Sequence, residues 1–351
     1  MDTYATTGSR ARAVAFYLPQ FHPIPENDSW WGKGFTEWTN VTKAHPLYDG
    51  HVQPNLPSEL GFYDLRVAET RAAQAELARE HGIEGFCYWH YWFAGKRLLE
   101  RPFNEVLNSG EPDFPFCLAW ANATWTGIWH GAPDRVLIRQ EYPGVKDYTA
   151  HFFAVLDALT DSRYVTIEGK PVFVVFHPVE FPDAVQFTDL WRELALKAGL
   201  PGLYLVGIAH HAWQPTKFGY DACCVDYFST ARRQIDVQHA LDTPPRPARY
   251  SYEEIIRRAF HAERYADEQI PCVLPNWDNT PRSGKDGVVF EGSTPELFGE
   301  HVRKAIRLIE HRPRDQRLLF LKSWNEWAEG NYLEPDRRYG RRFLESLRVA
   351  L

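Results

Sequence analysis

Apolar residues in this chain fall in short unbroken runs, separated by stretches where they return at every third or fourth position. The runs Val14–Leu18, Gly85–His90, Phe116–Ala121, Val172–His177, Leu203–Ile208, Ala222–Phe228, Cys272–Pro275 and Leu318–Ser323 have the length of strands. Most lack the apolar/polar alternation of a sheet with one wet face, so they predict parallel strands covered on both faces. Helix signals lie between them. Asp64 precedes Leu65, Ala68, Ala72, Ala75 and Ala78 at helical spacing, and Gly82 follows as a terminator. Ser251 and Glu254 form a capping box ahead of Ile255, Ile256, Ala259 and Phe260. Thr294 and Pro295 supply an N-cap and a first-turn proline for a face of Phe298, Val302, Ala305 and Ile309. Further helices are predicted over 147–159, 183–198 and 338–350, with a weaker one near 97–108.

Strand and helix alternating eight times predict an α/β fold, a single closed (β/α)8 TIM barrel. An open doubly wound sheet would carry a glycine-rich phosphate turn after its first strand, and this chain has none. The stretch 19–63 makes a long first βα loop, of a length that usually serves function. No repeat or composition break divides the chain, so residues 1–12 read as a flexible tail and 13–351 as one catalytic barrel.

A formal net charge of -7 argues against a nucleic-acid partner, which needs a basic surface. No apolar stretch approaches the ~20 residues of a membrane helix, and the polar start lacks a secretory signal, so a cytoplasmic location is expected. The cysteines, Cys87, Cys117, Cys223, Cys224 and Cys272, sit inside apolar runs and read as buried thiols. No close His/Cys spacing suggests a metal, and no cofactor is expected. The 13 tryptophans are unusual, because they gather near strand ends and in loops, where aromatics line grooves.

In a barrel the residues after each strand converge on one face. That rule collects Tyr17, Gln20 and His22; Trp31, Glu37, Trp38 and Asn40 from the first loop; His90, Tyr91 and Trp92; Trp120, Asn122 and Trp125; His177; Asp226 and Tyr227; Asn276, Trp277 and Asp278; and Trp324 and Asn325. Polar and aromatic side chains of this kind stack on sugar faces and bond their hydroxyls. Glu326 and Glu329 stand where strand 8 runs out, and a carboxylate pair is what glycosidic cleavage needs. Plainer roles exist for each. The histidines can be structural, Asp278-Asn279 an Asx turn, Asp226 a partner of Arg232, and the two glutamates helix N-terminal charges.

Several longer motifs resemble one family. They are Tyr17-Leu18-Pro19-Gln20-Phe21-His22-Pro23-Ile24-Pro25-Glu26-Asn27-Asp28, Trp30-Trp31-Gly32, Thr36-Glu37-Trp38-Thr39-Asn40, Trp120-Ala121-Asn122, Pro275-Asn276-Trp277-Asp278-Asn279 and Trp324-Asn325-Glu326-Trp327-Ala328-Glu329-Gly330. Together they resemble the glycoside-hydrolase-family-99-like proteins, also called WbsX-type glycosyltransferases of polysaccharide gene clusters, related to the endo-α-mannosidases. The resemblance implies a (β/α)8 barrel that cleaves α-mannosides with retention through a 1,2-anhydro sugar. Glu326 would then take the proton of the sugar's 2-hydroxyl, and Glu329 would act as general acid and then base. It implies an oligo- or polysaccharide substrate whose 2-hydroxyl is trans to the leaving group, such as an α-mannoside or α-rhamnoside. Trp324 and Trp327 are expected to exclude water and raise one carboxyl pKa. Two departures touch substrate identity: Leu18-Pro19-Gln20-Phe21 replaces an aromatic-rich turn, and Ala328 stands between the glutamates. Glycosyl transfer or transglycosylation in surface-polysaccharide biosynthesis is the competing function, although no Asp-x-Asp or phosphate loop occurs. A non-catalytic glycan-binding barrel is the third.

Overall fold

The structure is a computed structural model and describes residues 10–127, 132–238, 245–260 and 265–351. Eight strands form its centre: β1 (Arg12–Tyr17), β2 (Ile83–Phe93), β3 (Phe116–Trp120), β4 (Lys170–Val175), β5 (Tyr204–Ala209), β6 (Ala222–Val225), β7 (Gln269–Val273) and β8 (Leu318–Leu321). Each pairs in parallel with the next, and β8 pairs back onto β1 with Val14 beside Phe320. The sheet is a closed barrel, as its apolar runs predict. Residues 1–9 of the expected tail lie outside the described residues. Arg10 already donates its backbone N–H to the Leu351 carbonyl at 2.8 Å, and Arg12 opens β1.

Helices cover the barrel: α1 (Pro25–Trp31), α2 (Glu37–Lys43), α3 (Ala68–Glu80), α4 (Arg101–Ser109), α5 (Val145–Leu159), α6 (Ala184–Lys197), α7 (Phe228–Gln238), α8 (Tyr252–Ala259), α9 (Thr280–Ser283), α10 (Pro295–Ile309) and α11 (Arg342–Ala350). Thr294 accepts from the Leu297 N–H at 3.2 Å and Ser251 from the Glu254 N–H at 3.4 Å, so both sequence caps form. Asp64 does not cap α3. It accepts from the Arg66 N–H at 2.8 Å, a local turn that delays the helix to Ala68.

Strand side chains alternate between two apolar layers. Inside, Phe16 lies between Trp89 and Phe320, with ring centres 4.8 and 5.1 Å away. Outside, Trp191 of α6 packs on Phe173 at 4.6 Å. Burying each such ring contributes roughly 2–3 kcal/mol. All the cysteines are buried and free. The first loop folds into α1 and α2 and docks by its own aromatics: Trp38 lies against Phe21 and Trp327 and donates to the Tyr63 carbonyl at 2.8 Å. That docking carries Glu37 to the barrel mouth.

Candidate active site

The chain leaves β8 through Lys322 and Ser323 into a small hairpin, where Asn325–Glu326 pairs antiparallel with Asn331–Tyr332. Asn325 fixes its base: its side chain accepts from the Leu18 N–H at 2.7 Å and donates to the Leu18 carbonyl at 3.1 Å. A single 3-10 turn, Trp327–Glu329, closes it. Gly330 has φ of 61°, and a Cβ there would stand 2.8 Å from the Asp278 nitrogen. Glycine is required, because the same strap receives the Asp278 N–H on the Glu329 carbonyl at 2.7 Å. The hairpin thus presents Glu326 and Glu329 at fixed height over the strand ends.

Sequence reading missed the group that joins them. Arg282, from the short α9 after β7, is buried among three carboxylates. Its guanidinium reaches Glu37 at 2.6 Å and Glu326 at 3.1 Å, and it pairs with Glu329 as well. Glu37 is steadied by Gln20, which donates to it at 3.0 Å. Turn chemistry aims α9: Asp278 accepts from the Thr280 N–H at 3.0 Å and hydroxyl at 2.6 Å, the Asx turn its sequence allowed. Nothing in the local sequence marks Arg282, since its partners lie 44 to 245 positions away.

Glu326 and Glu329 differ in setting. Glu326 is 6% exposed and accepts from the Trp89 indole N–H at 3.0 Å as well as from Arg282. Burial, and next the charge of Glu329, push its carboxyl up to about 7 against the pull of Arg282. Glu329 has a half-buried position and one oxygen on Arg282. Beyond them lies Lys322. Burial disfavours its charge, yet Asp226 and the two glutamates outweigh this and hold its pKa above the ordinary lysine value. Glu37, Glu326, Glu329 and Asp226 thus face two cations, Arg282 and Lys322. Burial first, and then the charge of Glu329, make Glu326 the carboxyl on which the protonated form is favoured.

The predicted site residues divide by strand face. Tyr91, Trp125, His177, Asp226 and Trp277 border the mouth with the glutamates: Tyr91 meets Trp125 edge-on at 5.0 Å, and Lys322 lies 5.0 Å over the Trp277 ring. Trp31 rests on Phe35 in the first loop. Asn122 binds the His177 backbone through donor and acceptor, at 3.0 and 2.8 Å, and so positions that histidine. Others are corrections, because side chains alternate along a strand and half of each strand end points outward. Tyr17 points at α3 and donates to Gln74 at 2.6 Å. His90 meets His151 at 2.8 Å beneath α5, where Trp92 stacks on the same imidazole and Trp120 packs edge-on. Tyr227 packs on Phe260 at 4.6 Å. His22 is buried beside the Pro19 carbonyl, with its pKa lowered by burial. Trp38 and Asn325 are braces, and Asn40 is fully buried in α2. Asn276 and Asp278 line a separate pocket behind the hairpin, with His51 and Tyr332.

The expected part for the flanking tryptophans also changes. Trp324 is fully buried against Phe86 at 5.2 Å, and Trp327 is stacked on Tyr332 while donating to Glu334 at 2.6 Å. Trp89 instead meets the carboxylate. Alternation along Cys87, Trp89, Tyr91 and Phe93 is the signal that would have found it.

The chain belongs to the WbsX glycosyltransferase family: the family model described as "Glycosyltransferase WbsX" matches residues 13–347. It is 37% identical to the uncharacterized protein WxcX of Xanthomonas campestris pv. campestris, in two strains, over 97% of this chain and 50% of that protein. The chain therefore spans about half the length of the curated relatives it matches. Among solved structures it is similar to a glycoside hydrolase-like protein, with TM-score 0.63 and 13% identity over 98% of this chain and 94% of that one. It is also similar to the GH99 endo-alpha-mannosidase from Bacteroides thetaiotaomicron, with TM-score 0.59 and 14% identity over 97% and 96% of the two chains. These likenesses show the shared (β/α)8 fold.

Proposed function

We propose that the protein is a retaining glycosidase acting on α-mannoside- or α-rhamnoside-like linkages of a polysaccharide, with Glu326 and Glu329 as its catalytic pair. The observation that carries this reading is their joint placement at the C-terminal mouth of the barrel, one guanidinium apart on Arg282, with Trp89 on Glu326. A carboxylate whose acid form titrates near 7 is a stronger base toward a sugar hydroxyl than an ordinary one, which suits Glu326 to the 2-hydroxyl. Glu329, less enclosed, is suited to the departing oxygen. In the resting protein burial leaves the proton on Glu326, opposite to what an acid at 329 needs. The cycle therefore requires that proton to pass to Glu329 as Glu326 engages the 2-hydroxyl, with Arg282 holding the charge that remains. The 2-oxygen then attacks C1 as the departing oxygen leaves with the Glu329 proton. Water next adds at C1 and opens the anhydro ring, Glu329 taking the water proton while Glu326 returns its own to the 2-oxygen.

Aryl and disaccharide α-mannosides and α-rhamnosides test the roles. Glu329→Gln is expected to lose turnover on disaccharides by 10²–10⁴-fold yet keep much of it on an aryl leaving group that needs no acid. Glu326→Gln is expected to lose both. The opposite pattern would exchange the two roles, and full activity in both variants would end the proposal.

The family description favours a second reading, transfer of the sugar to a growing surface polysaccharide instead of water. The same pair would serve, with an acceptor hydroxyl in place of water. Products elongated in the presence of acceptor oligosaccharide, at the expense of hydrolysis, would select it. The substrate in either case is an oligo- or polysaccharide, and no helix among the described residues is long and apolar enough to cross a membrane.

A further inference from the structure

Lys322 is the least expected side chain in the mouth. It follows β8 directly and reaches inward beneath the hairpin. Among the described residues no carboxylate oxygen lies within the 4.0 Å of an ion pair from its ammonium, and no acceptor bonds it. Its ammonium lies 5.0 Å over the Trp277 ring. Asp226 faces it from the end of β6. That carboxylate gives one oxygen to the Phe228 N–H at 3.0 Å and, among the described residues, makes no further hydrogen bond. Lys322 and Asp226 are therefore electrostatic neighbours that do not touch, each with unused bonding capacity.

The space between them is a narrow cleft at the floor of the mouth, with room for one small polar group. Its other walls are carbon and sulfur, from Phe16, Trp89, Phe176, Ile208, Phe228 and two of the buried cysteines. Trp89 also bonds Glu326, so this cleft adjoins the catalytic pair. A cation and an anion held apart among apolar walls suit one kind of group. A sugar hydroxyl reaching in from the mouth accepts from an ammonium and donates to a carboxylate through a single oxygen, and it is small enough for the cleft. An anionic substituent does not suit it, because Asp226, Glu329 and Glu37 already exceed the local cations.

We propose that Lys322 and Asp226 form a hydroxyl-recognition pair that fixes the sugar next to the cleaved bond, and so act as specificity-determining residues. The proposal rests on the glycan reading of the mouth. Polar groups built to bind a hydroxyl strongly reject the analogue that lacks it, because they are then left unpaired.

The test is a coupling experiment on binding, independent of turnover. Methyl α-D-mannopyranoside and methyl α-L-rhamnopyranoside, with their monodeoxy analogues, are titrated calorimetrically into wild-type protein, Lys322→Met and Asp226→Asn. Methionine keeps the stem against Trp277, and asparagine keeps the bond to the Phe228 N–H, so both variants retain their packing. One deoxy position is expected to lower affinity at least 30-fold in wild type and less than 3-fold in each variant, while other positions cost the same in all three proteins. Binding of a parent glycoside with uniform deoxy losses across the three proteins overturns the pair and leaves the catalytic reading intact. A parent glycoside that neither binds nor is hydrolysed overturns both.

Discussion

Glu326 carries a pH signature that sits in the proposed catalytic pair itself. Its folded carboxyl titrates at about 7 against 4.5 for an ordinary one, so between those values the folded state holds a proton that the unfolded chain has released. Its stabilising contribution is complete below pH 4.5 and is lost as pH rises through 7. The full difference amounts to about 3 kcal/mol. Glu326→Gln keeps the shape and removes the ionisation. Urea unfolding is expected to show the variant close to wild type at pH 4.5 and more stable by about 1–3 kcal/mol at pH 8. Equal losses at both pH values would remove the retained proton from the account. Arg282 gives the converse case. Arg282→Met leaves Glu37, Glu326 and Glu329 without their shared cation, and removing one partner of a buried pair costs about 3–5 kcal/mol. The loss measured in urea is expected to be larger at pH 8 than at pH 5, because protonation relieves the repulsion.

The hairpin after β8 shows how an element positions chemistry that single residues cannot. Gly330 closes the turn with φ of 61° and lets Asp278 approach, so Gly330→Ala has no relaxed solution. The variant is expected to lose about 1–3 kcal/mol and to lower kcat by more than tenfold, because the strap that yields also carries Glu329. Thr294→Ala is the control: it removes an N-cap remote from the mouth, costs about 1 kcal/mol and leaves kcat unchanged. The same element explains what the sequence could and could not reveal. Unbroken apolar runs located all eight strands, since burial on both faces writes itself locally. The same lack of alternation hides which strand-end residues face the mouth, so a rule based on strand ends alone places Tyr17, His90, Trp92 and Trp120 with Tyr91 although they point outward. Glu326 and Glu329 were legible because one hairpin holds both. Arg282 joins them only through barrel closure, which no local pattern encodes, whereas Trp89 shares the inward face of β2 with Tyr91.

At the scale of the whole molecule, the covering layer sets the acid limit of the fold. His301 of α10 is 1% exposed, stacked on Phe260 at 5.0 Å, and burial with the nearby Lys304 charge drives its pKa down to about 3. His90 and His151, buried beneath α5, are lowered in the same direction by burial first. For such groups the unfolded chain takes up protons that the folded one refuses. Their contribution is complete above the ordinary histidine pKa of 6.5 and is lost as pH falls toward the folded value. Glu326 and Glu334, both raised to about 7 by burial first, act with opposite sign over 4.5 to 7. With His22 and His177, also lowered by burial, five histidines among the described residues stand against these two glutamates. They leave a net rise in stability with pH up to 6.5, and each proton removed changes the slope by about 1.4 kcal/mol per pH unit. His301→Leu deletes one proton from the histidine side without touching the mouth. Between pH 5 and 6.5 its stability should fall short of the wild-type rise by about 2 kcal/mol, leaving a flatter acid limb at unchanged kcat. A slope identical to wild type would mean that His301 takes up its proton in the folded state, which the apolar surroundings of α10 and Phe260 argue against.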